Sequence, residues 1–451
     1  MIDFSAVPFQ ELLKPEGFPC ACGKRHATTV REVVIGRGAV TGLPELIKKL
    51  GVSKPFAVWD PNTYAAAGEC VSAILGGAGI PFASVKLREG DPEPDEAALG
   101  QLAMAFDPSC DGILAVGSGV INDLCKMLSL VTGRKSVIVG TAPSMDGFAS
   151  NSSSMLAGGV KTSIYNPCPE GILLDTDLLC AAPMRMLRAG LGDMLAKYIS
   201  VPEWRLSHLI TGDYYCENIA GLVRRSAREV RAQAGKLPER DPEAAAEIAK
   251  GLVMSGVAMS FAESSRPASG LEHYFSHVWD MRAIEAGKRP DLHGIQVGVG
   301  SVLTLRIYEW ILEIIPDRAR AEAHMRGFSP AAWESEVRRA FGGTAGEILR
   351  IEEQTRKNDP AKHAARLEII LSNWNGILAM IREELPPLSE ILRLAEAVGL
   401  PTRPSELGIS DDDAVDAFLR ARDIRDKYMS CNLLWDLGLL DEFAERLRAS
   451  L

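Results

Sequence analysis

Short apolar runs alternate with helix-like stretches through the first ~180 residues of the chain. The runs are VVIG at 33–36, FAVW at 56–59, FASVKL at 82–87, GILAVG at 112–117, SVIVG at 136–140 and GILLD at 171–175. Between them lie GLPELIKKLG, which ends on Gly51 as a helix C-cap should, then TYAAAGECVSAILGGAG, DEAALGQLAMAF and VINDLCKMLSLVTG. Strand–helix–strand alternation with fully apolar strands predicts a mostly parallel sheet covered by helices on both faces. After Pro183 the period-two and short-run signals stop. Helical patterns follow: GDMLAKYISVPEW, YYCENIAGLVRRSAREVRAQAG, AAAEIAKGLVMSGVAMSFA and IQVGVGSVLTLRIYEWILEII, then a helical tail broken at Asp359-Pro360, Pro386-Pro387 and Pro401. The expected fold is α/β plus all-α, with an α/β half over residues 1–182 and a helical half over 183–451. A ligand is expected in the cleft between them.

Composition narrows the partners. The 451 residues are 47% apolar and 24% charged, as in globular chains rather than disordered ones. Lys and Arg number 49 against 59 Asp and Glu, for a net charge of −10, and no basic run stands out. Nucleic acid and anionic membranes are therefore not expected partners. No apolar stretch is expected to reach the ~20 residues of a membrane span. The opening MIDFSAVPFQELLKPEG lacks the basic and apolar regions of a signal peptide. Nine scattered cysteines do not suggest a disulfide framework, which makes a cytoplasmic protein the expectation.

Three segments carry candidate chemistry. GILAVGSGVINDLCK sets Gly117 and Gly119 where a strand ends and a helix begins. Exposed backbone N–H groups and the positive end of a helix suit a pyrophosphate there, although a plain strand-to-helix turn has the same pattern. The G-x-G-x-x-G fingerprint fails at Asn122, and the strand-end acid, Asp60, precedes the glycine turn instead of following it. A second turn, GTAPSMDGFASNSSS at 140–154, holds small hydroxyl residues and Asp146 after a parallel strand. It reads either as a ligand loop or as a solvated serine-rich loop.

The third segment holds three of the seven histidines. His273 and His277 share a helical face, and His293 lies across a loop containing Gly287 and Pro290. A carboxylate from Asp193, which is expected to open the first helix of the helical half, completes a set that suits Zn²⁺, Ni²⁺ or Fe²⁺ and leaves a position open. Paired helical histidines also occur without metal. Glu272 and Lys197 read as solvated charges. Near the N-terminus, Cys20, Cys22 and His26 could bind zinc, but the spacing is short and a fourth ligand is missing, so this segment reads as metal-free.

Taken together, GSGVINDLCK, TAPSMDGFAS, GLGDMLAKY and SRPASGLEHYFSHVWDM…DLHG resemble the sn-glycerol-1-phosphate dehydrogenases, in particular the bacterial branch encoded with arabinose genes. The wider group holds iron-containing alcohol dehydrogenases, glycerol dehydrogenases and dehydroquinate synthases. The likeness covers about residues 30–310 well and the helical tail loosely. Departures are GSG in place of a frequent GGG, the N-terminal Cys-Gly segment and an insertion around 345–375.

The resemblance implies a dinucleotide-binding N-terminal domain, a helical metal- and substrate-binding domain, NAD(H) or NADP(H), and one divalent metal ion. Asp60 then matches the adenosine ribose contact. Gly117, Ser118, Gly119, Val120 and Ile121 match the pyrophosphate turn. Thr141, Ala142, Pro143, Ser144 and Ser150 match further cofactor contacts. Asp193, His273 and His293 match metal ligands, and Asp146, Asp193 and His277 match substrate contacts. Asp146 and His277 carry the catalytic roles of fixing a hydroxyl and relaying a proton. Arg266 and Lys161 are cationic candidates for a substrate phosphate. The implied reaction is reduction of dihydroxyacetone phosphate to sn-glycerol 1-phosphate, and its reverse, in a homo-oligomer. A polyol dehydrogenase, a dehydroquinate-synthase-like lyase and a non-catalytic metabolite-binding relative are the alternatives.

Overall fold

The computed structural model describes residues 3–88, 92–158 and 160–451, apart from the side chains at 160 and 161. Six strands form one parallel sheet: β1 (Glu32–Gly36), β2 (Pro55–Trp59), β3 (Ala83–Lys86), β4 (Gly112–Gly117), β5 (Lys135–Gly140) and β6 (Gly171–Asp175). Their order is β1-β6-β5-β4-β2-β3. The inner strands β2, β4 and β6 are buried at every position, which is why they read as unbroken apolar runs. The outer strand β3 alternates between half-buried and exposed positions.

This order puts the switch in winding direction between β2 and β4. From β2 the chain moves outward to β3, and from β4 it moves the other way to β5. Connections that leave adjacent strands in opposite directions open a crevice at the carboxyl ends, where ligands bind in such sheets. Val58 pairs with Ala115, so Asp60 and Gly117 end the two strands at one level. The apparent misordering of acid and glycine turn is thus resolved in space, because strands separated by β3 in sequence are neighbours in the sheet.

The serine-rich turn is more ordered than its composition suggests. After a short turn of 3₁₀ helix at Asp146–Ala149, Ser152–Ala157 pairs antiparallel with Val160–Tyr165. Lys126, on helix α1 (Gly119–Thr132), is fully buried beneath it. Its ammonium donates to Gly147 O (3.1 Å), Ser150 Oγ (3.1 Å) and Ser152 O, and pairs with Asp123 (3.1 Å). A buried cation needs that many acceptors, and here they fix the loop.

Beyond Asp175 every regular element among the described residues is helical. The ones that build the site are α2 (Met184–Leu195), α3 (Lys197–Thr211), α4 (Glu217–Gln233), α5 (Pro242–Ala262), α6 (Leu271–Glu285) and α7 (His293–Ile311). Helix α5 has the length and apolarity of a membrane span, contrary to the sequence expectation, yet 83% of that window is buried inside the protein. It is the central core helix. Its Val253, Val257 and Phe261 share one apolar cluster with Ile113 and Ile172 of the sheet and with Phe4 and Phe18 of the N-terminal segment.

Two contacts of α2 leave no room for side chains. A Cβ on Gly190 would overlap the Pro143 carbonyl oxygen, and one on Gly294 would overlap the Ala189 carbonyl. Gly294→Ala should therefore lower stability by about 1–3 kcal/mol through overpacking. Gly100→Ala is the control: its helical site is open, and it should gain roughly 0.5–1 kcal/mol. Urea unfolding of the two variants decides; equal midpoints would mean that the α2–α7 crossing yields.

Candidate active site and metal centre

Asp193 does not open a helix as expected: the helix begins at Met184, so Asp193 lies in the last turn of α2, where it is completely buried. Its Oδ2 accepts the backbone N–H of Asp146 (2.9 Å) and its Oδ1 accepts from Lys197 Nζ (2.9 Å). Lys197 stands one helical turn further on, its side chain wholly inaccessible, and donates also to Asp146 Oδ2 (2.7 Å) and Ala268 O (3.2 Å). Ser255 of α5 donates to the same Asp146 oxygen (2.8 Å). Two carboxylates and one ammonium are thus buried together.

The single ammonium offsets the two carboxylates in part. Burial drags the Lys197 ammonium down, but the two carboxylates more than reverse this and hold it above its ordinary value. Burial likewise pushes Asp146 up, while Lys197 and Ser255 keep it below the usual carboxylate range. Asp193 is raised, by burial first and by Asp146 second.

The histidines meet this cluster from α6 and α7. His273 Nδ1 lies 2.7 Å from Glu272 Oε1, which also accepts the Gly270 N–H (2.8 Å). With Nδ1–H donated there, Nε2 carries the lone pair and lies 3.8 Å from Asp193 Oδ1. Burial, and then the Lys197 charge, hold His273 well below the usual imidazole value, so it is neutral. Burial pushes the Glu272 carboxyl up to about 8. Ser276 Oγ donates to Gln296 Oε1 (2.7 Å) and is 3.3 Å from His293 Nδ1. His293 therefore has the same division of labour, one nitrogen anchored and one inward.

Ligand atoms of Asp193, His273 and His293 all lie within 4.8 Å of one another. The donor set fits a divalent ion: one carboxylate, two imidazoles with anchored outer nitrogens, and three ligands that leave a position open. His277 does not join that group. Its ring centre lies 6.3 Å from that of His273 and 6.2 Å from that of His293.

The other expected residues fall around the crevice. Asp60 caps the turn Pro61–Thr63, its Oδ1 accepting from Thr63 N (2.8 Å). Gly117 ends β4, Ser118 is the N-cap of α1, and Gly119, Val120 and Ile121 form its first turn. Ser118 Oγ bonds to Ser144 Oγ (2.7 Å) and Ala142 O (3.1 Å), and Thr141 N donates to Gly117 O (3.0 Å). The two loops are thereby locked side by side, with Pro143 against α2. Ser150 lies inside its own loop, its hydroxyl shared between Lys126 and the Gly147 and Ser152 carbonyls.

Several expectations change. Lys197 and Glu272 are not solvated; both side chains have no exposure, because their carboxylate and imidazole partners are buried with them. The Asp193–Lys197 spacing of four was the available signal for Lys197. Ser255, hidden in an apolar helix, gave none. Arg266 is already paired with Asp213 and reaches the Tyr428 carbonyl. The Lys161 side chain lies outside the described residues. Lys427, which sequence reading passed over, donates to Ser265 Oγ (2.9 Å) and Ser269 O (3.2 Å), and its charge acts on His273. Burial lowers the Lys427 ammonium to about 7.

Residues 34–183 match the family model described as iron-containing alcohol dehydrogenase. A glycerol-1-phosphate dehydrogenase (NAD(P)+) of Halalkalibacterium halodurans is 30% identical over 423 residues, 93% of this chain and 95% of that relative. One from Pyrococcus furiosus is 36% identical over 274 residues, 60% of this chain and 77% of its own length. Among solved structures, glycerol dehydrogenase from Schizosaccharomyces pombe shares the fold with a TM-score of 0.61 at 17% identity, over 95% of this chain and 93% of that one. With nearly the whole length of the bacterial relative matched, the chain belongs to the glycerol-1-phosphate dehydrogenase family, within the iron-containing alcohol dehydrogenases.

Proposed function

We propose that this protein catalyses the reversible NAD(P)H-dependent reduction of dihydroxyacetone phosphate to sn-glycerol 1-phosphate. The observation that carries the reading is the convergence of Asp193, His273 and His293 beside the sheet crevice flanked by Asp60 and Gly117. Zn²⁺, Ni²⁺ and Fe²⁺ all accept this donor set. When bound, the metal polarises the C2 carbonyl and the reduced nicotinamide supplies the hydride.

The chain's own residues do the rest. The N–H groups of Gly119, Val120 and Ile121 open α1 and receive the pyrophosphate at the positive helix end. Asp60 receives the adenosine ribose, while Thr141 to Ser144 line the crevice beside the glycine turn. Ser150 contributes by holding that loop rather than by touching the cofactor. Asp146, kept ionised by Lys197 and Ser255, orients a substrate hydroxyl. His277 gives its proton to the new C2 oxygen on reduction and takes it back on oxidation. Lys427, in place of Arg266, is the proposed partner of the substrate phosphate. The reading places the enzyme in the cytoplasm as a homo-oligomer acting on a small molecule.

The direct test is NADH consumption with dihydroxyacetone phosphate, followed by chiral analysis of the product. Equal rates with dihydroxyacetone would make it a polyol dehydrogenase, and no consumption of NADH would favour a lyase or binding role.

The two neighbouring histidines should separate. His273→Ala removes a ligand, so metal content and turnover should fall together. His277→Ala should keep most of the metal while kcat drops by about 10²–10⁴-fold, the usual loss for a general acid. Metal analysis of both purified variants decides, and a metal-depleted His277→Ala protein would make His277 a ligand.

Cofactor preference follows from Asp60. Its carboxylate accepts ribose hydroxyls and repels a 2′-phosphate, so NADH should be preferred. Asp60→Ser should narrow the gap, and it is the cleaner variant because serine still caps the turn that Asp60 caps. A wild-type kcat/KM higher with NADPH would contradict the assignment.

A further inference from the structure

The N-terminal segment that read as metal-free gains its missing partner in the folded chain. Phe18–Pro19 and Arg25–His26 pair as two short antiparallel strands. The turn between them is closed by Cys20 N→Lys24 O (3.0 Å) and Gly23 N→Cys20 O (3.1 Å). It carries Cys20 and Cys22 and lies over the start of α4, where Cys216 is the N-cap residue. Cys216 stands 196 positions from Cys20 in sequence, yet the two sulfurs are 3.6 Å apart.

The ligand atoms of Cys20, Cys22, His26 and Cys216 all lie within 4.8 Å of one another. His26 Nε2 is 3.3 Å from Cys22 Sγ and 3.6 Å from Cys216 Sγ. Zinc bonds of ~2.3 Å to sulfur and ~2.0 Å to nitrogen make tetrahedron edges of about 3.5–3.8 Å. The observed separations are near such edges, and the Cys20–Cys216 gap is far beyond the ~2.05 Å of a disulfide.

The surroundings are those of metal thiolates. His26 Nδ1 is anchored on the Phe261 carbonyl (2.9 Å), which turns Nε2 inward, and the residue is completely buried. Asn218 Nδ2 donates to Cys20 Sγ (3.2 Å), and Tyr214 Oη lies 3.4 Å from Cys22 Sγ.

We propose that Cys20, Cys22, His26 and Cys216 bind a structural Zn²⁺ ion, separate from the Asp193, His273 and His293 centre. Four protein donors close the coordination shell, so the ion has no position for substrate. On binding, the three thiols release their protons to solvent and His26 binds in its neutral form. The ion pins the N-terminal segment to the head of α4 and to the end of α5, which is where Phe4 and Phe18 pack on Phe261.

Full-length His273→Ala protein, loaded with zinc and freed of excess, isolates this site from the other. It should hold about one zinc per chain, and the Cys22→Ser change made in the same background should remove it. Cobalt(II) in place of zinc should give the His273→Ala protein strong tetrahedral visible bands and thiolate-to-cobalt charge transfer in the near ultraviolet. This spectrum decides even where the cysteine variant does not fold. Absence of thiolate charge transfer, zinc retained undiminished in the cysteine variant, or a Cys20–Cys216 disulfide found by peptide mapping would each overturn the proposal. None of these readouts depends on turnover, so they stand apart from the test of the dehydrogenase reaction.

Discussion

The site depends on how closely the backbone of α2 approaches its neighbours. On one side Gly190 lies against the Pro143 carbonyl, and on the other Gly294 lies against that of Ala189. The first contact sets the loop after β5 on the helical half. The second sets the start of α7 against α2, which brings His293 alongside Asp193. A methyl group on Gly190 would push the Pro143 loop off α2, and one on Gly294 would push His293 away from Asp193.

Close packing here creates an electrostatic problem that the same helices solve. It buries Asp193 beside Asp146, and two carboxylates in a low-dielectric interior repel each other. Lys197, one turn after Asp193, bridges both, and Ser255 adds a neutral donor from α5. The same ammonium disfavours protonation of His273 and thereby keeps an imidazole lone pair available. Asp146 N–H on Asp193 ties the loop directly to this arrangement. Asp193, the Asp146 loop, Lys197 and Ser255 are therefore a single hydrogen-bonded unit.

The halves that differ in sequence pattern are not separate in packing. Helix α5 runs against the sheet, and Val257 and Phe261 share an apolar cluster with Ile172 and with Phe4 at the other end of the chain. Residues before β1 touch both halves: His26 bonds to Phe261 O and Lys24 pairs with Glu263, while Gln10 donates to Val33 O and Thr29 to Cys168 O. The sheet, α5 and the N-terminal segment thus share one apolar cluster, while α2 and α7 belong to a second one in the helical half.

Local chemistry made much of this legible in the chain itself. Unbroken apolar runs specify buried parallel strands, and all six stand within a residue or two of where periodicity puts them. His273 and His277 on one helical face, and the glycine turn at a strand end, follow from backbone geometry alone. The serine-rich segment did not reveal its hairpin, because a buried lysine from α1 supplies its order. Sequence order misplaced Asp60 relative to the glycine turn, since strand adjacency is a property of the sheet. Lys197 and Glu272 read as solvated because a charged side chain carries no mark of its burial until its partner is in place. Cys216 could not be joined to Cys20 and Cys22 across 196 positions. The sequence determined which elements form and which chemical groups they carry. Only the tertiary structure decided which of those groups meet, because burial and long-range contact arise from packing and not from any local stretch of chain.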